Sequence, residues 1–236
     1  MRLLVSPMNL EEAKAALAGG TDILDVKNPR EGSLGANFPW AIREVVELAG
    51  GAVPVSATIG DLQYKPGTAS LAALGAAYAG ADYIKAGLLG IHTPSQASEM
   101  LVNIVRAVKD FDSRKRVVAA AYSDHERVDS IDPAILPEVA AYAGADVIMV
   151  DTAMKDGRST FEFMTEEELE AFIRAGRDQG LDVAIAGNIG FQHMDLLMRL
   201  DPEIIGIRGM VCGGDRQASI RQDLVEKARE AMLAAP

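Results

Sequence analysis

Cysteine, aromatic side chains and basic residues are all scarce in this chain. The single cysteine, Cys212, excludes an internal disulfide and is typical of a protein from a reducing compartment. Aromatic residues make up only 5% of a sequence that is 49% hydrophobic, so the core must be built mainly from small aliphatic side chains. The 23 lysines and arginines are outnumbered by 34 acidic residues, and the net charge of −11 argues against nucleic-acid binding.

Long apolar runs are also absent from the sequence. No stretch approaches the roughly 20 residues that a membrane-spanning helix needs. The apolar run at the start of the chain is short and is followed at once by Pro7, which indicates a strand and not a secretion signal. We therefore expect a cytoplasmic protein with neither a membrane nor a nucleic-acid partner, and a homo-oligomer is left open. The spacing of His92, His125, His193 and Cys212 resembles no metal-ligand set, so we predict neither a metal nor a cofactor.

Short apolar runs alternate with helical patterns from one end of the chain to the other. The runs predict eight strands, at 3–6, 23–27, 53–58, 83–87, 117–122, 147–151, 183–186 and 204–208. The helical patterns fall at 9–18, 39–49, 68–79, 95–109, 133–143, 165–179, 192–199 and 216–234. Eight strand–helix units predict one domain, 1–236, folded as a parallel (β/α)8 TIM barrel. The alternative is an open doubly wound sheet, but no Gly-x-Gly-x-x-Gly follows the first strand.

One phrase recurs at the ends of three predicted strands. It reads GGTDILDVK at 19–27, GADYIKAG at 80–87 and GADVIMVD at 144–151. When the first aspartates of the three phrases are aligned, Lys27 and Asp151 follow five residues later and Lys85 follows three residues later. Because strand side chains alternate with a period of two, all three face the same side, and we expect that side to be the barrel interior. Charged groups are too costly to bury for packing alone, so they indicate a functional site.

Buried lysines at strand ends favour amine chemistry on a carbonyl substrate. A neutral lysine forms a Schiff base, and a second cation or an apolar wall lowers its pKa toward that state. On this argument either Lys27 or Lys85 is the nucleophile, and the other moves protons. Asp151 takes a proton or holds an ammonium group, while Lys155 joins the same cluster or contacts a phosphate. Asp25 is a partner of Lys27 or a helper base, and the plainer alternative for each lysine is an ion pair at the barrel rim.

Glycine-rich segments follow the last two predicted strands, where TIM barrels commonly hold a phosphate. They read AGNIG at 186–190 and RGMVCGGDR at 208–216. Glycines let backbone N–H groups approach an oxyanion, although the same residues also serve ordinary turns. The predicted substrate- or phosphate-binding residues, in these loops and around the second strand, are Asp25, Asn28, Ser33, Gly187, Asn188, Arg208, Gly209, Gly213 and Gly214.

Seven segments together carry a resemblance to a known family. They are DVKNP at 25–29, EGSLGANFPW at 31–40, VSATIGD at 55–61, YKPGT at 64–68, ADYIK at 81–85, DTAMKDG at 151–157 and CGGDR at 212–216. As a set they resemble the (5-formylfuran-3-yl)methyl phosphate synthase family, and the likeness covers almost the whole chain. The resemblance implies a TIM barrel that joins two molecules of glyceraldehyde 3-phosphate into a phosphorylated furan aldehyde, with loss of phosphate and water, in methanofuran biosynthesis.

The resemblance also implies roles for individual residues. Lys27 is expected to form the Schiff base and Lys85 to accept a proton, with Asp151 and Lys155 in the same site. A reversible Schiff-base aldolase acting on a sugar phosphate is the nearest alternative, since it would use the same lysine and the same phosphate loops. A barrel that binds a sugar phosphate without catalysis is the alternative from another class, because fold alone does not define function.

Overall fold

Eight parallel strands close into a barrel within residues 1–233, the part of the chain that the structure, a computed structural model, describes. The strands are β1 (Arg2–Val5), β2 (Ile23–Val26), β3 (Val55–Asp61), β4 (Tyr83–Gly87), β5 (Arg116–Tyr122), β6 (Val147–Asp151), β7 (Asp182–Ile185) and β8 (Ile204–Ile207). Each strand pairs in parallel with the next one along the chain, and β8 returns to β1 with Gly206 opposite Leu4. The predicted TIM barrel is confirmed.

A helix follows each strand and packs on the outside of the barrel. The helices are α1 (Leu10–Ala18), α2 (Pro39–Ala49), α3 (Pro66–Tyr78), α4 (Pro94–Phe111), α5 (Leu136–Ala143), α6 (Glu166–Asp178), α7 (Met194–Leu200) and α8 (Gln222–Leu233). Asn9 caps α1 by accepting the N–H of Glu12 at 2.9 Å, and Thr165 forms a capping box with Glu168 at the start of α6. None of the helices in residues 1–233 has the length and apolar character to cross a membrane.

Many predicted boundaries differ from the observed ones by one to three residues, and the end of β3 and the start of α8 are the differences that bear on the site. Strand β3 continues to Asp61, beyond its predicted end at 58, through an irregular register with β4. Helix α8 begins at Gln222 and not at 216, because the carbonyl groups of Arg216 and Ala218 accept hydrogen bonds from the Arg208 side chain. Positions 234 to 236, which include the predicted ends of this helix and of the domain, lie outside the described residues.

The core has two layers of mainly aliphatic side chains, as the shortage of aromatic residues predicted. One layer fills the space between the sheet and the ring of helices, and alanine, valine, isoleucine and leucine dominate it. The other layer lies inside the barrel and contains Leu4, Met149 and the two tyrosines Tyr83 and Tyr122. Leu4 and Met149 also form the apolar base of a cavity that opens above them.

Four residues close the amino-terminal end of the barrel: Arg2, Tyr83, Arg116 and Asp182. We call them the amino-end cluster. Arg2 and Arg116 each contact the Asp182 carboxylate, at 2.8 and 2.9 Å. Arg2 also donates to the Tyr83 hydroxyl at 2.8 Å, and both guanidinium groups lie near the face of the Tyr83 ring. In this cluster every cation therefore has both a carboxylate and an aromatic partner.

Candidate active site

A cavity of about 250 Å³ opens at the carboxyl ends of the strands. Its lining includes nine of the residues predicted from the sequence: Lys27, Lys85, Asp151, Lys155, Gly187, Asn188, Arg208, Gly209 and Gly214. The other four predicted residues, Asp25, Asn28, Ser33 and Gly213, lie outside this lining. The strand register thus brings the two lysines and the aspartate of the repeated phrase to one place, as predicted.

Lys85 forms a fully buried ion pair with Asp25. The Lys85 Nζ lies 2.6 Å from Asp25 Oδ2, and the carboxylate also accepts hydrogen bonds from the hydroxyls of Ser6 and Ser56, at 2.9 and 2.7 Å. Burial alone would raise the pKa of Asp25, but the charges of Lys85 and Lys27 and these hydrogen bonds lower it below its ordinary value. The structure corrects the predicted pairing of Asp25 with Lys27, since inward-facing positions on β2, β3 and β4 bring Asp25 to Lys85.

Asp151 and Lys155 form a second pair on the opposite wall. The Lys155 Nζ lies 2.7 Å from Asp151 Oδ1 and donates to the Thr152 hydroxyl at 3.0 Å. Burial would raise the pKa of Asp151, but the charges of Lys155 and Lys27 outweigh it and bring the pKa to about 2. Asp151 is therefore ionised at neutral pH and is a weak base, so it is better suited to stabilising a cation than to removing a proton.

Lys27 differs from its neighbours because its amine makes no side-chain hydrogen bond within residues 1–233. Only 7% of the residue is exposed. Burial lowers its pKa, the charges of Lys85 and Lys155 lower it further, and Asp151 and Asp25 oppose them; the resulting pKa is about 7. A large share of Lys27 is thus neutral at neutral pH, which is the state that attacks a carbonyl. The geometry separates the two lysines, which the sequence alone left interchangeable.

Three residues of the loops after β7 and β8 line the cavity and have backbone N–H groups without a protein acceptor in residues 1–233. Those of Gly187, Asn188 and Gly209 donate no hydrogen bond to any residue in 1–233. Gly187 has a φ of +99°, and a Cβ added there would lie 2.1 Å from the hydroxyl oxygen of Thr160. Only glycine fits this position, so the loop follows a fixed path beside the cavity. Backbone N–H groups that lack a protein acceptor beside a cavity favour an anionic ligand.

Arg208 lines the cavity, but its guanidinium group is occupied by protein partners. It donates to Glu12 at 2.7 Å and to the carbonyl oxygens of Ser6, Arg216 and Ala218, at 2.6, 2.8 and 3.3 Å. These contacts use all three guanidinium nitrogens. We therefore correct the predicted phosphate-binding role of this side chain: Arg208 fixes the loop after β8 against the loop after β1.

The loop at 28–35, predicted to bind substrate, instead forms hydrogen bonds within the protein. The Ser33 hydroxyl donates to the Thr152 carbonyl at 2.7 Å, and the Leu34 N–H donates to Asp61 at 3.0 Å. The Asn28 side chain accepts the N–H of Arg30 within the same loop, at 3.2 Å. Gly213, in the loop after β8, is exposed at a turn. We therefore correct the predicted binding role of Asn28, Ser33 and Gly213, because none of them lines the cavity and the side chains of Asn28 and Ser33 pair within the protein.

Arg216 lines the cavity although the sequence reasoning did not select it. Its guanidinium Nη2 is buried and has no hydrogen-bond partner within residues 1–233. The available signal was its position, directly after the glycine pair of the segment at 208–216. A glycine-rich loop that ends in arginine offers an anion two kinds of partner: backbone N–H groups and a guanidinium charge.

The histidines and the cysteine remain outside the cavity lining. His92, His125 and His193 lie elsewhere on the surface, and burial raises the pKa of the Cys212 thiol to about 11. A thiol with this pKa is a poor nucleophile at neutral pH. Within residues 1–233, no three histidine, cysteine or acidic residues form a group suited to a metal ion.

The closed parallel barrel, with a lysine-rich cavity at the carboxyl ends of its strands, defines a TIM-barrel protein. The family described as 4-HFC-P synthase matches residues 3–229, and the chain belongs to that family. A relative from Methanosarcina acetivorans, named (5-formylfuran-3-yl)methyl phosphate synthase, is 63% identical over 96% of this chain and 97% of its own length. A relative of the same name from Archaeoglobus fulgidus is 58% identical over 98% of this chain and 99% of its own length.

Membership of a synthase family makes the chain an enzyme, and it confirms the resemblance read from the sequence. Among solved structures, KGPDC from Streptococcus mutans matches with a TM-score of 0.68 at 13% identity, over 98% of this chain and 97% of that one. A likeness at this level of identity concerns the fold alone.

Proposed function

We propose that the enzyme condenses two molecules of glyceraldehyde 3-phosphate into (5-formylfuran-3-yl)methyl phosphate, as a step in methanofuran biosynthesis in the cytoplasm. The atoms balance when one phosphate and two molecules of water leave. The observation that carries the proposal is Lys27, a buried amine of pKa about 7 that lacks a hydrogen-bond partner in residues 1–233, inside a cavity with unpaired N–H groups. The names of the relatives support the product.

The reaction begins at Lys27 in this proposal. Its neutral amine attacks the aldehyde carbon of the first triose phosphate, and loss of water gives an iminium ion. Loss of the proton from the neighbouring carbon converts the iminium to an enamine. We assign this proton transfer to the Lys85–Asp25 pair, held at 2.6 Å: Asp25 takes one ammonium proton of Lys85, and the amine freed in this way accepts the proton from the carbon. The enamine carbon then attacks the aldehyde of the second molecule and forms the new carbon–carbon bond.

Elimination and ring closure complete the sequence. One phosphate and the remaining water depart, the hydroxyl oxygen closes the ring, and release from Lys27 regenerates the amine. Asp151 stays ionised and balances the positive charge of the iminium, since its pKa is about 2. Lys155, held 2.7 Å from Asp151, keeps that carboxylate oriented toward the cavity. Formation of an aromatic furan makes the overall sequence effectively irreversible.

The phosphoryl groups are held by backbone N–H groups as well as by charge. The unpaired N–H groups of Gly187, Asn188 and Gly209 form one anion position in this proposal. The cavity also lies against several cations, which offset the negative charge of the chain as a whole. A substrate with a dianionic tail therefore finds a favourable local field in an acidic protein.

The decisive test is incubation of the purified protein with glyceraldehyde 3-phosphate alone, followed by mass spectrometry and a phosphate assay. We expect a six-carbon furan monophosphate together with one equivalent of inorganic phosphate. A six-carbon bisphosphate without phosphate release would instead identify a reversible aldolase. Intact substrate without turnover would favour the non-catalytic sugar-phosphate-binding barrel.

Trapping with borohydride tests the role of Lys27 separately. A Lys27→Arg variant should lose the covalent adduct, because a guanidinium group stays protonated and is not nucleophilic. The control is Lys14→Arg, which changes an exposed lysine paired with Glu11 on α1. Full activity in the Lys27→Arg variant would contradict the Schiff-base mechanism, whereas the control should behave as the unmodified protein.

A further inference from the structure

Arg216 is the exception among the cations of the cavity. Three other cations are held by carboxylates at 2.6–2.7 Å: Lys85 by Asp25, Lys155 by Asp151 and Arg208 by Glu12. Lys27 has no such partner but loses much of its charge, because its pKa falls to about 7. Arg216 differs from all four of these residues. Its buried Nη2 has no hydrogen-bond partner within residues 1–233, and its guanidinium group remains charged.

A buried guanidinium nitrogen without a partner is unfavourable for the folded protein alone. Buried polar atoms are paired in the great majority of cases, and an exception requires a reason. Arginine does not escape the problem by losing its proton, since its ordinary pKa is above 12. Arg216 itself lines the cavity in which a phosphorylated substrate is expected. An anion from solution supplies the missing hydrogen bonds and the missing charge.

The position of Arg216 fits an anion held at the mouth of the cavity. Burial and the charge of Arg208 lower its pKa, whereas the carboxylates of Asp151 and Asp61 raise it. Asp61 ends β3 and Asp151 ends β6, so both carboxylates that act on Arg216 belong to strand ends at the carboxyl side of the barrel. The backbone of Arg216 is fixed meanwhile, because its carbonyl accepts from Arg208 Nε at 2.8 Å.

We propose that Arg216 binds a substrate phosphoryl group at the mouth of the cavity, as a second anion site beside the N–H groups of Gly187, Asn188 and Gly209. The inference rests on the proposed function, because joining two phosphorylated molecules requires two phosphate positions. The loop at 28–35 does not supply the second position, since its polar groups pair within the protein. A planar guanidinium group supplies it through two parallel hydrogen bonds to phosphate oxygens.

The experiment compares a phosphorylated with an unphosphorylated aldehyde. Borohydride trapping is measured against the concentration of glyceraldehyde 3-phosphate and, separately, of glyceraldehyde. We expect Arg216→Met to raise the half-saturating concentration of the phosphorylated compound by about 10- to 100-fold, as for loss of a hydrogen bond to a charged group. Glyceraldehyde should change less than about twofold, and Arg216→Lys should fall between the two extremes because it keeps the charge without the planar fork.

The matched control is Arg221→Met, which removes an exposed arginine that pairs with Asp223 and lies outside the cavity. It should leave trapping of both compounds unchanged. Equal losses for both compounds in Arg216→Met would overturn the proposal, because they would show that Arg216 acts on the amine chemistry and not on phosphate. Unchanged trapping of both compounds would overturn it as well.

A second measurement separates this proposal from the proposed function. If the unmodified protein forms no adduct with either aldehyde, the Lys27 chemistry fails and trapping says nothing about Arg216. Calorimetric titration with inorganic phosphate then decides the matter. We expect two bound equivalents for the unmodified protein and one for Arg216→Met, and identical titrations would overturn the proposal.

Discussion

Both ends of the barrel contain clusters of charged side chains, but the two clusters differ in exposure and in how their charges are paired. In the amino-end cluster, Arg2, Arg116 and Asp182 are each 30–35% exposed by side chain, and each cation has a carboxylate partner. At the carboxyl end, Lys85 and Asp25 are 2% and 0% exposed, and two cations of the same cavity have no such partner within residues 1–233. One end uses ion pairs to close the fold, and the other holds charge ready for a substrate.

The pKa values show the same contrast. Burial would lower the pKa of Arg116, but hydrogen bonds with Tyr83 and Asp182 raise it overall, so this end reinforces the positive charge. At the other end, burial and neighbouring lysines lower the pKa of Lys27 to about 7 and so weaken the positive charge. Groups arranged for stability and groups arranged for reactivity therefore differ in the direction of their pKa shift, even when both are cations of one barrel.

The largest expected effect is on turnover in a Lys27→Met variant. Removing the nucleophile should lower kcat by about 10⁴-fold or more, because the amine that forms the proposed Schiff base is lost. Stability should rise at the same time, since an apolar side chain replaces a poorly solvated amine. Steady-state kinetics and urea unfolding measure the two effects, with the exposed Lys14→Met as control. A destabilised Lys27→Met protein would contradict the contrast between the two ends.

The pH dependence of that stability difference is the next largest effect. Lys27 has a folded pKa of about 7 and an ordinary value of 10.5, so the unfolded chain binds more protons between these values. The unfavourable contribution of Lys27 is fully present below pH 7 and disappears as the pH rises toward 10.5. The gain in unfolding free energy from Lys27→Met should therefore be at most about 5 kcal/mol at pH 6 and near zero above pH 10.5. Urea unfolding of both proteins at several pH values measures it, and a gain that grows with pH would reverse the assigned sign.

An Asp25→Asn variant tests the buried pair at the carboxyl end. It leaves the ammonium group of Lys85 buried without its charge partner, and we expect a loss of about 3 kcal/mol in unfolding free energy. Ser56→Ala is the matched comparison, because it removes one hydrogen bond to Asp25 and keeps the carboxylate. That change should lose about 1 kcal/mol. Equal losses in the two variants would indicate that packing, and not charge, determines the result.

The smallest expected effect is at the amino-end cluster. Arg116→Met removes a partly exposed ion pair and should lower the unfolding free energy by about 1 kcal/mol while leaving kcat unchanged. Arg106→Met, which changes an exposed arginine on α4, provides the control and should show no change in either quantity. A large loss of activity in Arg116→Met would show that the two ends are coupled, and it would contradict the division into a structural end and a catalytic end.

The fold and the lysine cluster were readable from the sequence because their signals are local. Apolar runs and helix caps depend on neighbouring residues, and the repeated phrase places Lys27, Lys85 and Asp151 by strand alternation alone. The pairing of Asp25 with Lys85 was missed because the two residues are 60 positions apart and meet through three adjacent strands. No local pattern distinguishes that partner from the nearer Lys27.

The two arginines of the loop after β8 show the limit most clearly. Arg208 and Arg216 stand eight residues apart in one glycine-rich segment, and the sequence reasoning selected the first of them. The partner that occupies Arg208 is Glu12, which lies 196 positions away along the chain. Which arginine is paired and which faces the cavity depends on that distant contact, and so does the start of α8.

The ion pair between Glu12 and Arg208 also ties completion of the site to closure of the barrel. It joins the first and the last strand–helix units, at the seam where β8 pairs with β1. The loop that carries Arg216 is anchored by the same guanidinium group. During synthesis Lys27 and Lys85 emerge before this seam exists, but Lys27 is then an ordinary lysine, because burial and the neighbouring charges of the closed barrel lower its pKa. Closure of the barrel therefore creates the reactive amine and the anchored loop of Arg216 in a single event.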